Sequence, residues 1–408
     1  MSPVERLFGP DAAAVRDADF RLLLAANAVG ALTTALVSPV LDSLTGPLGV
    51  DAATVGLVVT AAAAPSVLLI PLSGLLTDRF GRKPVLVAGL VCFGAGGLGI
   101  ALTADFRTVL ALRALQGVGF SGVTPVIITS VGDIYDGDVE ATAQGIRFGT
   151  SGLSQAVFPA IGGAVVGIAW QAPFLVYGLA LPVAALVALR FEEPAAPGRT
   201  DGGLAGRGYL AGLARQAGTR RAVGYLLARM VVVLPFIAFL TYNSLVVVRF
   251  QGGTPGGAGA LVALFSAVFA ATATQAGRVV AALDRTPPLV AGNLLLGGGL
   301  AGFALAPSPL AAAPAVAAMG VGVGLTFSLY RSIITGLAPQ QYRGGMVSLA
   351  ESGGRLAATA TPLVAGVALA AVEPRLGESA LRWVVVGVGL SAGVAGTALV
   401  VVAGRAPS

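Results

Sequence analysis

The chain has 408 residues, 56% of them apolar and 11% charged, with a formal charge of +6, one cysteine and no histidine. A soluble protein carries roughly a quarter charged residues, so this composition, with a mean hydropathy of +0.87, describes a polytopic membrane protein and excludes a disulfide framework, a thiolate metal cluster around the lone Cys92, and histidine as base or ligand. The pI near 10 does not indicate nucleic acid, because basic residues cluster at the ends of apolar runs rather than on a soluble face.

Crossing a hydrocarbon core of about 30 Å takes about 20 apolar residues in a helix, and lipid cannot satisfy the backbone of an open strand. Residues 1–19 mix Glu5, Arg6, Asp11, Arg16, Asp17 and Asp19 with small residues, unlike a signal peptide. They are expected to form a cytoplasmic segment, with the first span retained. Helices are predicted near 20–42, 54–76, 84–104, 108–130, 144–169 and 172–190, an N-terminal bundle over 20–190. In 191–221, Glu192, Glu193, Pro194, Pro197, Arg199, Asp201, Arg207, Arg215, Arg220 and Arg221 dilute the apolar content and mark a cytoplasmic linker. Its middle, 204–217, reads either as a short helix on the membrane surface or as a solvated linker. Six further helices near 222–248, 258–280, 287–306, 309–337, 344–372 and 380–403 form a C-terminal bundle over 222–403, and 404–408 is a cytoplasmic tail. The expected fold is all-α, with twelve transmembrane helices.

Basic residues orient it. With the amino terminus inside, the inner face holds Arg6, Arg16, Arg21, Arg79, Arg82, Lys83, Arg147, Arg190, Arg199, Arg207, Arg215, Arg220, Arg221, Arg278, Arg285, Arg331, Arg343 and Arg405, against Arg107, Arg249, Arg375 and Arg382 outside. An even number of spans returns the carboxyl terminus to the cytoplasm. Aligning 155–163 with 358–366 superposes Pro159 on Pro362 and Gly163 on Gly366, a shift of 203 residues, and Asp78-Arg79 has a weaker echo in Asp284-Arg285. The two bundles are therefore expected to be pseudo-symmetric.

Four charges sit between apolar runs at 74–86, in the order G-x-L-x-D-R-x-G-R-K. Gly74 and Gly81 permit a tight turn, Asp78 can meet a helix amino terminus or a buried arginine, and Arg79, Arg82 and Lys83 face anionic lipid. This stretch resembles the loop between the second and third helices of major facilitator superfamily transporters. Arg113-Ala114-Leu115-Gln116-Gly117-Val118-Gly119 is similar to the R-x-x-Q-G-x-G pattern of their fourth helix, and Gly152 with Phe158-Pro159-Ala160-Ile161-Gly162-Gly163 resembles in part the G-P-x-x-G-G element of proton-linked antiporters. Phe158 stands where that element has glycine. The resemblance implies two six-helix bundles rocking around a central cavity, most like the drug:proton antiporter branch. It implies a conformational latch of Gly74, Asp78, Arg79, Gly81 and Arg82, with Asp78 and Arg82 holding the bundles together, and a coupling role for Arg113. Pro159 with Gly162 and Gly163, and Pro362 with Gly366, are expected to bend and pack helices.

Ionisable groups inside a span are functional candidates by default. Glu351 and Arg355, one turn apart, either pair with each other or serve separately, Glu351 exchanging a proton and Arg355 sensing it or contacting an anion. Asp42 is a second carboxylate candidate, although it lies about 31 Å from Arg21 along a straight helix. Asn27, Gln155, Tyr242, Asn243 and Tyr330 are cavity candidates, each also explicable as an interhelical hydrogen bond. The expectation is a transporter rather than an enzyme, without cofactor or metal, in a prokaryotic plasma membrane. Its partners would be a small-molecule substrate, protons and membrane lipids, and it would act as a monomer. The favoured activity is proton-coupled efflux of an apolar or cationic compound. Uptake of a sugar or organic anion, or a non-transporting receptor, are the alternatives. Two G-x-G-x-x-G strings, at 94–99 and 117–122, follow no strand and read as small-residue helix packing.

Overall fold

The computed structural model describes residues 17–193 and 207–405, and every regular element among them is helical. The first half holds α1 (Ala18–Gly30), α2 (Leu32–Ala35), α3 (Leu41–Leu48), α4 (Ala52–Val55), α5 (Leu57–Phe80), α6 (Arg82–Ile100), α7 (Phe106–Ser121), α8 (Thr124–Ile134), α9 (Gly137–Val165), α10 (Ala172–Leu175) and α11 (Ala180–Arg190). The second holds α12 (Arg207–Ala217), α13 (Arg220–Phe250), α14 (Pro255–Leu283), α15 (Thr286–Leu305), α16 (Pro309–Gly336), α17 (Gln340–Leu376) and α18 (Ala380–Arg405).

Each predicted span has a helical counterpart. Nine stretches among the described residues are long and apolar enough to cross a membrane, one of them, Gly345–Arg405, running through both α17 and α18. The first and fifth predicted spans fall outside these stretches: the first is broken, and α9, the helix of the fifth, begins ahead of the predicted start and carries Asp138, Glu140, Gln144 and Arg147 in its first turns. Leu68, Val367 and Val394 are 73%, 72% and 66% exposed, a surface that suits hydrocarbon and would be an aggregation hazard in water. The chain is an integral membrane protein.

The first span is not the rod expected over 20–42. α1 ends at Gly30, Pro39 lies in a 3-10 turn at Ser38–Val40, and α3 starts at Leu41. A proline removes a backbone donor and crowds the preceding turn, so the straight-helix depth of Asp42 does not apply. Asp42 is half-buried in the first turn of a new helix. The fourth span, 108–130, breaks at Gly122 and Val123, just ahead of Pro125. Other helix starts follow caps that apolar periodicity does not reveal. Asp17, Asp51 and Asp105 each accept a hydrogen bond from a backbone N–H two or three residues on.

The internal repeat is far more extensive in structure than in sequence. A Cβ on Gly119 would meet the Gly89 carbonyl at 2.5 Å and the Phe93 nitrogen at 2.6 Å; on Gly322 it would meet the Gly292 carbonyl at 2.6 Å and the Leu296 nitrogen at 2.7 Å. Gly96 lies against the Leu112 carbonyl and Gln116, and Gly299 against the Ala315 carbonyl and Met319. Gly117 abuts Ala62 and Pro65, and Gly320 abuts Phe265 and Val268. Every one of these partners is displaced by the same 203 residues that separate Pro159 from Pro362. Side-chain-free contacts bring backbones together where no hydrophobic effect drives association, so the packing seam has been kept in both halves. Both G-x-G-x-x-G strings belong to such seams.

The same register corrects the echo of Asp78-Arg79. Gly81, between α5 and α6, has φ 92° and ψ 164°; Asp284, between α14 and α15, has φ 62° and ψ −172°. Asp284 is therefore the counterpart of Gly81, and Arg285 of Arg82. That backbone region is essentially reserved for glycine and costs another residue about 1–3 kcal/mol. Asp284→Gly is expected to raise the thermal unfolding midpoint in detergent by a few degrees, and Gly81→Ala to lower it. An Asp284→Gly midpoint below wild type would show that the aspartate side chain contributes more than the strain costs.

By contact the chain forms two compact units, Met1–Val50 with Leu57–Thr200, and Asp51–Gly56 with Asp201–Ser408. The second unit thus includes α4, outside the predicted linker boundary. Within it a Cβ on Gly366 would sit 2.7 Å from the Ala53 carbonyl, and one on Gly56 would sit 3.4 Å from Pro362. In the first unit a Cβ on Gly162 would lie 2.8 Å from the Leu36 carbonyl, and α9 runs unbroken through the buried Pro159, with Gly163 also buried. Of the linker, 207–217 is helical as α12 and docks on α17: Tyr209 packs on Tyr342 with ring centroids 5.3 Å apart, and a Cβ on Gly345 would meet Leu213 at 2.7 Å. Residues 204–206 lie outside the described ones.

Candidate functional site

At the 74–86 loop, the surroundings of Gly74 and the side chain of Asp78 lie outside what the structure describes. α6 starts at Arg82, and the Glu193 carboxylate receives its first donors, the backbone N–H groups of Arg82 and Lys83. A helix amino terminus has unpaired donors and a positive dipole end, which a carboxylate satisfies together. A Cβ on Gly81 would stand 2.9 Å from that carboxylate. Arg82 Nε donates to Asp133 at 2.9 Å, in an ion pair only 14% and 12% exposed, and Arg82 Nη1 donates to the Thr77 carbonyl. Exposed Arg79 stacks on Phe80, 5.3 Å from the ring centre. The Asp78 half of the expected Asp78–Arg82 latch lies outside the described side chains. Among the described side chains, Arg82 forms its ion pair with Asp133 inside the first unit, and sequence reading had assigned no role to Asp133 and had counted Glu193 only as linker.

Arg113 is wholly buried, so it does not reach the membrane surface. Nε donates to the Val58 carbonyl at 3.0 Å, Nη2 to the Thr33 carbonyl at 2.9 Å, and Nη1 to Gln116 Oε1 at 2.7 Å and the Tyr177 hydroxyl at 3.3 Å. Tyr177 in turn donates to the Leu32 carbonyl, and Gln116 to that of Phe93. No carboxylate is among these partners. The guanidinium fork instead ties the Thr33 carbonyl of the broken first span to the Val58 carbonyl of α5 and to Gln116, which is a structural reason for an arginine here. The coupling role implied for Arg113 finds no carboxylate partner in this set.

Asn27 on α1 bridges to α9, donating to the Arg147 carbonyl at 3.1 Å and Ser151 Oγ at 2.8 Å, and accepting from Arg147 Nη1 at 3.4 Å. Arg147 is itself 4% exposed and lies over the Phe148 ring. Asn27 is thus an interhelical link holding a buried cation, and Gln155 lies half-buried two turns further along α9. On α13, Asn243 donates to the Ala258 carbonyl at 2.9 Å while its Oδ1 finds no partner. The buried hydroxyls of Thr241, Tyr242 and Ser244 are also unpartnered. Tyr330 on α16 accepts from Asn293 Nδ2 at 3.0 Å.

The densest charge inside a span is on α17. Glu351 and Arg355 are not simply a pair along one helix, because Glu351 Oε1 lies 3.8 Å from Nη2 of Arg229 on α13. Arg229 is 8% exposed, its guanidinium stands 4.1 Å above the Phe327 ring, and its Nη1 is buried without a hydrogen-bond partner. Arg355 lies within electrostatic reach of both. Gly353 and Gly354 allow the approach of α13: a Cβ on Gly353 would meet Met230 at 2.9 Å, and one on Gly354 would lie 3.7 Å from Arg229. The Glu351 side chain is 57% exposed, whereas that of Arg229 is 9% exposed. Sequence reading missed Arg229, although it lies nine residues into an apolar run that starts at Arg220. At the 203-residue register Arg229 and Glu351 stand opposite Ala26 and Phe148, so this pair is a departure from the repeat. No group of three or more metal-ligating side chains occurs among the described residues.

A family model described as Major Facilitator Superfamily matches residues 23–252, more than half of the chain. The bacillibactin exporter of Bacillus subtilis (strain 168) is 32% identical over 152 residues, 35% of this chain and 37% of that protein. The chain spans about a third of the length of the first curated relatives that it matches. A longer match, 26% over 303 residues and 73% of both proteins, is to the 3-(3-hydroxy-phenyl)propionate transporter of Escherichia coli (strain K12). In fold, the crystal structure of a bacterial homologue of the human lysosomal transporter Spinster, inward-facing and occupied, gives a TM-score of 0.82 at 17% identity, covering 97% of this chain and 98% of that one. From the family match, the helical architecture and the two charged motifs, the chain belongs to the major facilitator superfamily.

Proposed function

We propose that the protein is a secondary active transporter that moves a small molecule by alternating access, with proton exchange at Glu351 as the coupling step. The observation that carries this reading is the loose Arg229–Glu351 contact inside a span. At 3.8 Å it is at the outer limit of an ion pair, so protonation removes the charge facing Arg229 at small cost in contact energy. The uncompensated Arg229 cation, fixed over Phe327, then favours a different arrangement of α13 and α17. Efflux of an apolar or cationic compound is the favoured direction, by analogy with the exporter among the relatives. The plasma membrane of a prokaryote, with both termini inside, fits the arginine bias.

A second reading, uptake of an organic anion, draws support from two guanidiniums, Arg229 and Arg355, facing one carboxylate, and from the buried, unpartnered Nη1 of Arg229. In proteoliposomes, an imposed pH gradient is expected to drive accumulation of a fluorescent hydrophobic cation against its concentration gradient. Movement of aromatic carboxylates alone, in the direction of the proton flux, would replace export by the second reading. Binding without movement of either class across sealed vesicles would leave a receptor.

A further inference from the structure

A cavity of about 450 Å³ opens at the carboxyl-terminal end of α16, lined by Ser328, Arg331, Ser332, Thr335, Gly336 and Arg343. Residues 328, 331, 332 and 335 follow helical spacing and share one face of α16, while Arg343 comes from the first turns of α17. The described lining residues are all arginine, serine, threonine or glycine. Two arginines and two serines in one lining make a chemistry suited to an oxyanion, since arginine offers paired donors to phosphate or carboxylate and hydroxyls add short, adjustable ones, while the Thr335 hydroxyl donates to the Arg331 carbonyl. The volume falls within the ~300–1,000 Å³ of small-molecule sites, which is too large for a bare ion alone.

The surroundings point the same way. Gly224 on α13 abuts Ala403 on α18, and Tyr342 on α17 abuts Gly212 on α12, so the Arg220-Arg221 start of α13 and the Arg343 turn of α17 share one end of the second unit with the α16 terminus. The arginine bias assigns that end to the cytoplasmic surface, where basic pockets between helices take anionic headgroups. Arg331 is also within electrostatic reach of Arg229. The repeat supplies an internal control: at the 203-residue register Arg331 and Arg343 correspond to Ile128 and Glu140 in the first unit, so neither cation is required by the packing seam.

We propose that the Ser328–Arg343 cavity is a binding site for a phosphate or carboxylate group presented at the inner membrane boundary, carried either by an anionic phospholipid or by a soluble organic anion. The site is distinct from Glu351, and its occupancy is read at equilibrium with no gradient, so its failure is separable from failure of the transport reading.

Full-length protein is reconstituted in nanodiscs of phosphatidylcholine with and without phosphatidylglycerol, and lipid retention after transfer to detergent is measured by native mass spectrometry. In a second arm, thermal unfolding of the protein in detergent is followed with added 3-phosphoglycerate or benzoate. Wild type is expected to retain phosphatidylglycerol over phosphatidylcholine, or to be stabilised by a soluble anion, with the arm that responds naming the source. Arg331→Gln with Arg343→Gln is expected to weaken that binding at least tenfold at unchanged helicity and elution volume, and lysine at both positions to restore part of it. Absence of binding in both arms for wild type, or equal binding by the double glutamine variant, would overturn the proposal. If the double variant does not fold, Ser328→Ala with Ser332→Ala is the alternative, and unchanged anion affinity there counts against it.

Discussion

Arg113→Ala is expected to lower the stability of the protein by about 3 kcal/mol, seen as a lower unfolding midpoint in detergent and loss of monodisperse material. The substitution removes the donor to the Val58 and Thr33 carbonyls and to Gln116 together. Each acceptor is then buried without water to replace the guanidinium, which is the costly half of breaking a hydrogen bond. Interhelical hydrogen bonds in membranes average only about 0.6 kcal/mol apiece, because chains unfolded in lipid also find partners. Three bonds on that scale come to less than the desolvation cost, so the larger figure decides. Arg113→Lys keeps the charge but not the fork and is expected to fall between. A midpoint within a degree or two of wild type for Arg113→Ala would remove the carbonyl-clamp account and return Arg113 to a purely electrostatic role.

The contrast between Arg113 and Glu351 shows what could be read in the sequence and what could not. Span number and approximate limits follow from charge punctuation, as at Arg79 to Lys83 and Arg190, because lipid tolerates no charge there without a partner. Breaks at Pro39 and Gly122 were hidden, since proline and glycine are frequent inside spans that do not break. The Pro159–Pro362 match showed the 203-residue repeat, and the two G-x-G-x-x-G strings read as small-residue packing, yet neither the part of Gly89 in that seam nor the partners of Gly96, Gly117 and Gly119 could be read from them. Placing Asp284 opposite Gly81 needed backbone angles. For the candidate site, Glu351 and Arg355 were visible as an i, i+4 pair, whereas Arg229 approaches from a helix far away in sequence. Spacing along one helix carries no information about a partner on another.

Glu351→Gln is expected to abolish gradient-driven transport while leaving the fold intact. The side chain is more than half exposed and lies at long ionic range from Arg229, with Arg355 also within electrostatic reach, so replacing its charge removes little packing. Glutamine preserves shape and can still meet Arg229 through its carbonyl oxygen, but it cannot take up or release a proton. Exchange of substrate down its own gradient needs only alternating access and is expected to persist; movement against a gradient needs the proton. The loss in coupled rate is expected to exceed tenfold, equivalent to more than about 1.4 kcal/mol of coupling. Arg229→Leu is expected to act differently, because it takes away the buried cation that faces Glu351 and stands over the Phe327 ring. It should impair exchange and coupled transport alike.

The most direct test is therefore a paired flux measurement on wild type and Glu351→Gln in the same proteoliposomes, recording substrate counterflow without a pH gradient and accumulation with one. The account predicts that counterflow survives in Glu351→Gln while pH-driven accumulation disappears. Accumulation by Glu351→Gln at the wild-type rate under the same gradient would contradict it and remove Glu351 from the coupling step.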